Sequence, residues 1–173
     1  DSRADFEVTA EHESRWAVFP LVRLRPEQVA GGLLQAASLT TIDANANIVW
    51  QLIKFGQQND FVQRYGDMGE DEFSDRGGTI PQRLVMMNGR LVKERTEQNI
   101  VMNASTRIAA FAPSPAAAIE SAYLTVLTRR PSAEELEHFD ERFAERRGRQ
   151  HRIDAVEDLY WTLLNSTEFL WNH

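Results

Sequence analysis

The run "SPAAAIESAYLTVLTRRPSAEEL", residues 114–136, constrains the fold more than any other part of this chain. Ser114 can accept from a free first-turn amide, and Pro115 suits the first helical position, where no donor is needed. Ile119, Ala122, Tyr123, Val126 and Leu127 then recur at helical spacing. Arg129 and Arg130 are expected to fill the last turn, where cations offset the negative end of the helix dipole, and Pro131 to stop it. Ser132 and Glu135 spell a capping box for the next helix, with Leu136, Phe139 and Phe143 inward and Gly148 as its end. Two amphipathic helices so closely joined must bury their stripes against other helices.

The same grammar extends along the chain. A long helix over about 152–165 places Ile153, Val156, Tyr160 and Leu163 on one face, and Ser166 can cap a final turn carrying Phe169 and Leu170. Tyr160 and Trp161 are neighbours on that helix and point about 100° apart, so one of them is expected to be partly exposed. Pro26 opens an earlier helix with Val29, Leu33, Leu34 and Ala37 inward, and Gly31 and Gly32 suggest a break or a close backbone crossing. Asp43 can cap a helix reaching about Phe55, with Ile48, Val49, Leu52 and Ile53 as its stripe. A separate short piece is expected from Asn59, with Phe61, Val62 and Tyr65 inward. In "TIPQRLVMMNG", Thr79 and Gln82 form a capping box; Ile80, Leu84 and Met87 are the expected inner stripe, and Gly89 a left-handed stop. Further helices are expected over 91–102 and 106–112. The first 24 residues show only short alternation. The sequence therefore predicts an all-α fold: a single helical domain over residues 25–173, with about six to eight helices, behind an extended lead-in segment over residues 1–24.

Charge and composition exclude several functions. A net charge of −7 disfavours a nucleic-acid partner, which needs a concentrated positive surface. Arg142, Arg146, Arg147, Arg149 and Arg152 run against that balance and read as a solvated helix end. With no cysteine, the chain has no disulfide, zinc–thiolate site or covalently held haem. No apolar run approaches the ~20 residues that span a bilayer. The opening "DSRADFEV" has neither an initiator Met nor a signal-peptide pattern, which fits a piece of a longer chain with any targeting signal upstream.

The nucleophile elbow, the P-loop, the dinucleotide fingerprint and the H-E-x-x-H metalloprotease motif are all absent. Glu135 and His138 make one E-x-x-H, half of a di-iron carboxylate pattern whose second copy is missing, so they read as surface residues. No cofactor and no metal are expected. The acidic, glycine-rich loop "GDMGEDEFSDRGG", residues 66–78, is where a ligand would be least surprising. Its binding candidates are Asp67, Glu70, Asp71, Asp75 and Arg76, together with Gln82 in the following helix; calcium is disfavoured because the spacing does not fit an EF-hand loop. Trp16, Trp50, Trp161 and Trp171 offer sugar-stacking faces but read chiefly as core. Asn103 and Asn165 head two glycosylation sequons.

Four blocks together carry a family resemblance: "VRLRPEQVAGGLLQA", "DRGGTIPQRLVMMNGRLV", "AIESAYLTVLTRRPSAEEL" and "AVEDLYWTLLNSTEFLWNH". From about Leu21 to the last residue the chain resembles the planctomycete surface domain, a domain of unknown function at the C-terminus of large exported bacterial proteins. It departs from that pattern between Phe55 and Asp75, which makes the acidic loop a subgroup feature. The resemblance implies an extracytoplasmic location, periplasmic or cell-surface, and as partners the upstream domains of its own full-length protein, often cytochrome-like or carbohydrate-binding. It carries over no catalytic residue. The leading expectation is a non-catalytic helical interaction or scaffold domain. The alternatives are a contribution to an enzyme acting on polysaccharide or in electron transfer, or calcium or glycan binding at the acidic loop.

Overall fold

The computed structural model describes residues 14–15, 22–38, 48–65, 80–99, 103–144 and 148–171. Among them, eight α-helices follow one another: α1 (Pro26–Ala37), α2 (Ile48–Tyr65), α3 (Ile80–Asn88), α4 (Arg90–Thr96), α5 (Ala104–Phe111), α6 (Pro115–Leu127), α7 (Ala133–Ala144) and α8 (Arg149–Leu164). A 3₁₀ turn, Glu168–Leu170, closes the set. The all-α expectation holds. The expected lead-in falls largely outside the described residues; within them, Arg23 forms an isolated antiparallel bridge with Trp171, and the Leu24 amide donates to the Leu170 carbonyl at 2.9 Å.

Helix α8 organises the packing, touching α4, α5, α6, α7 and the 3₁₀ turn, while α1 lies against α2, α4, α5 and α6. The predicted stripes supply this core. Val29, Leu33, Leu34 and Ala37 of α1, Ile119, Ala122, Tyr123, Val126 and Leu127 of α6, and Ile153, Val156, Tyr160 and Leu163 of α8 are all buried. Each large apolar side chain removed from water in this way contributes about 2 kcal/mol. The caps read from sequence form too. Ser114 accepts from the Ala117 amide at 3.2 Å, and Ser132 and Glu135 exchange side-chain-to-amide bonds of 2.7 and 3.2 Å. Ser166 accepts from the Phe169 amide at 3.1 Å.

Several local expectations are corrected. Helix α1 runs unbroken through both glycines: a Cβ at Gly32 would meet the Phe169 ring at 3.5 Å, an ordinary contact, and one at Gly31 would meet nothing within 4 Å. Helix α2 does not stop near Phe55 but continues through Gly56 and Asn59 to Tyr65, because packing along α1 outweighs about 1 kcal/mol of glycine propensity. Asp43 and Thr79, the caps expected for α2 and α3, lie outside the described residues. Gly89 is not left-handed (φ −65°, ψ 145°). It serves by lacking a Cβ, which would overlap the Val85 carbonyl oxygen. Helix α4 ends at Thr96 rather than extending to 102. Helix α6 ends at Leu127, with Thr128 left-handed at φ 58°, so Arg129 and Arg130 lie beyond it. Gly148, at φ 120°, opens α8 rather than closing α7.

Candidate functional site

The acidic loop was the expected site, and Asp67, Glu70, Asp71, Asp75 and Arg76 lie outside the described residues. Gln82 alone is placed. It is buried on α3, and its side-chain carbonyl accepts from Arg23 Nη1 at 2.7 Å. Arg23 Nη2 donates to the Tyr65 hydroxyl at 2.6 Å, and Tyr65 stacks on Phe61 with centroids 5.1 Å apart. Burial pushes the Tyr65 hydroxyl pKa up, against the opposing charge of Arg23. Gln82 therefore helps to brace the segment before α1 against α2 and α3.

That brace sets the rotation of α3. With Gln82 and Met86 turned inward at i, i+4 spacing, Leu84 and Met87 face solvent, which corrects the expected inner stripe. Leu84 is 52% exposed and Met87 45%. Beside them Trp161 of α8, 37% exposed, donates its indole N–H to the Met87 carbonyl at 3.2 Å. The partner of that indole is thus backbone, and about a third of the residue stays exposed. Leu84, Met87 and Trp161 together form an apolar face spanning two helices that are far apart in sequence. The 100° between Tyr160 and Trp161 indicates from sequence that one of the two is partly exposed, and it is Trp161; the turn of α3 depends on Arg23, 59 residues before Gln82.

The densest polar cluster does a different job. Arg129 donates through Nε and Nη2 to Glu168 at 2.6 and 2.7 Å, through Nη1 and Nη2 to Glu135 at 2.8 Å each, and through Nη1 to the Arg130 carbonyl at 3.0 Å. These acceptors use all five N–H groups of a guanidinium, leaving none for a ligand. The guanidinium also lies 5.3 Å from the Tyr123 ring centroid. Hydrogen bonds from Arg129 hold the Glu135 carboxyl down at about 2. Burial, then the Glu135 charge, pushes the Tyr123 hydroxyl up to about 12. The cluster clasps the α6–α7 junction to the 3₁₀ turn. Glu135 is thereby a cap and clasp residue rather than half of a metal site. Among the described residues, no group of three or more His, Cys, Asp or Glu side chains is placed to hold a metal ion.

Glu157 on α8 is half-buried, and its Oε1 is buried without a hydrogen-bond partner. Burial first, then the charges of Asp154, Asp158 and Glu97, raise its pKa to about 7. A folded-state pKa above the unfolded value means that the folded chain holds the proton longer, so this group removes stability as pH rises from about 4.5 to about 7. Glu157→Gln is expected to stabilise the fold at pH 8 by about 1 kcal/mol, a figure discounted for solvent screening, and to change little at pH 4. Urea unfolding at the two pH values checks it; equal effects at both would contradict this account.

Two further sequence features change meaning. Asn103, the first residue of a sequon, is fully buried, so no glycan can occupy it in the folded chain. Its Nδ2 donates to the Glu94 and Glu97 carbonyls at 2.9 and 2.7 Å, capping the C-terminal end of α4 from outside the helix. Arg152, expected on a solvated face, is half-buried and donates through Nη2 to the Ala112 and Ser114 carbonyls.

No family model, curated protein or solved structure matches this chain. No helix among the described residues is long and apolar enough to cross a membrane.

Proposed function

We propose that this chain is a non-catalytic helical interaction domain, and that it docks the upstream domains of a larger exported bacterial protein through the Leu84–Met87–Trp161 face. The observation that carries this reading is the face itself. Leu84 and Met87, each about half exposed, lie one turn apart on α3, and the partly exposed Trp161 is tied to the Met87 backbone, although α3 and α8 both have buried faces. Exposed aromatic and Met side chains grouped in this way are favoured at the centres of protein interfaces. The four blocks resembling the planctomycete surface domain support an extracytoplasmic setting and a covalently linked partner.

The test is binding in trans of the separately expressed preceding segment. Leu84→Ser combined with Met87→Ser is expected to weaken that binding at least about tenfold, since each side chain contributes ~1 kcal/mol or more when buried at an interface. Because both positions are half-exposed, the melting temperature of the isolated domain should stay within about 3 °C of wild type. Equal affinity of wild type and variant, or no binding by wild type, would contradict the reading.

A further inference from the structure

A cavity of about 370 Å³ lies where the start of α8 meets α5, α6 and α7. Its walls are Ala109 and Ala110 of α5, Pro115 of α6 and Phe143 of α7, and Gly148, Arg149 and Arg152 complete it. Among the described residues, two arginines and no carboxylate line it, in a chain whose net charge is −7. Arg152 is anchored by Nη2 to two backbone carbonyls, so its guanidinium is held in place at little further entropic cost. Its Nε is buried and has no hydrogen-bond partner. Nη2 is committed to those carbonyls and Nε is closed off, so the Nη1 amino group is what Arg152 has left to offer an incoming acceptor. No side-chain cap closes the same end of α8, so the positive end of that helix adds to the field of the two arginines.

We propose that this cavity binds a small carboxylic acid with an apolar body, its carboxylate on Arg152 and Arg149 and its body against Pro115, Phe143 and Ala110. Planar guanidinium groups match a carboxylate in two-point geometry. The volume falls within the ~300–1,000 Å³ typical of small-molecule sites, and the lining side chains other than the arginines, Ala109, Ala110, Pro115 and Phe143, are apolar. This site is separate from the Leu84–Met87–Trp161 face and stands whether or not that face docks a partner.

Sodium benzoate is a suitable probe, with benzyl alcohol and inorganic phosphate beside it, read by saturation-transfer NMR and titration calorimetry on the whole chain. Benzoate should bind with a dissociation constant on the order of 1 mM. Benzyl alcohol and phosphate, each lacking one half of the recognition, should bind at least about tenfold more weakly. Arg149→Ala removes an exposed cation and should weaken benzoate about fivefold or more. Ala110→Leu fills the cavity without touching either charge and should abolish binding while the fold stays intact by circular dichroism. No benzoate signal with wild type, equal binding of phosphate or benzyl alcohol, or benzoate binding unchanged by Ala110→Leu would each overturn the proposal.

Discussion

Asn103→Asp is expected to destabilise the fold at pH 7 by about 3 kcal/mol or more, a fall of roughly 6–12 °C in melting temperature at this chain length. The buried Nδ2 of Asn103 serves two carbonyls at the end of α4, Glu94 and Glu97, at 2.9 and 2.7 Å. Aspartate would replace that donor with an anion facing two acceptors, out of reach of water. Protonation restores one donor, so part of the loss should be recovered below about pH 5. Asn103→Ala leaves the carbonyls unpaired without adding a charge and should cost less, about 2 kcal/mol. Urea unfolding of the three proteins at pH 7 and pH 4.5 gives the ranking. An aspartate variant within about 0.5 kcal/mol of wild type at pH 7 would show that Asn103 does not cap α4.

The second large effect belongs to Arg129. Its removal by Arg129→Ala is expected to cost about 2 kcal/mol, less than the ~3–5 for breaking a fully buried pair because all three side chains remain about one-third exposed. Most of the loss comes from leaving Glu135 and Glu168 facing each other without their common cation. The pH dependence is specific. Glu135 has its folded-state pKa held at about 2, below its ordinary value of 4.5, so its stabilisation is complete above about 4.5 and is lost as pH falls toward 2. The variant should lack most of that acid sensitivity, and its deficit against wild type should shrink between pH 5 and pH 2. A constant deficit across that range would mean that Arg129 acts through its contact with Tyr123 rather than through the carboxylates.

What the sequence made legible was local. Ser114 with Pro115, and Ser132 with Glu135, are contacts within one turn, and the stripes of α1, α6 and α8 follow from spacing alone; all appear in the fold. What stayed hidden depends on residues far apart in the chain. Arg129 looked like the end of a helix because Glu168 lies 39 residues beyond it. Leu84 and Met87 looked like core because nothing near them reveals that Gln82 is taken by Arg23. Asn103 looked like a sequon because the carbonyls it caps are donated to by a side chain outside their own helix. At Gly56 and Asn59, propensity signalled a break that tertiary packing overrides. The acidic residues of the expected site lie outside the described residues, so among the candidates only Gln82 acquires a role, and that role is structural.

The central claim, that the Leu84–Met87–Trp161 face is a docking surface, is met most directly by photocrosslinking within the longer protein proposed to carry this domain. A benzophenone side chain at position 87 samples the face, and one at the exposed Glu137 position of α7 is the control. Crosslinks from position 87 to the upstream domains, lost when Leu84 is also replaced by Ser and weak from position 137, are the predicted result. No upstream crosslink from position 87, or equal yields from both positions, would contradict it.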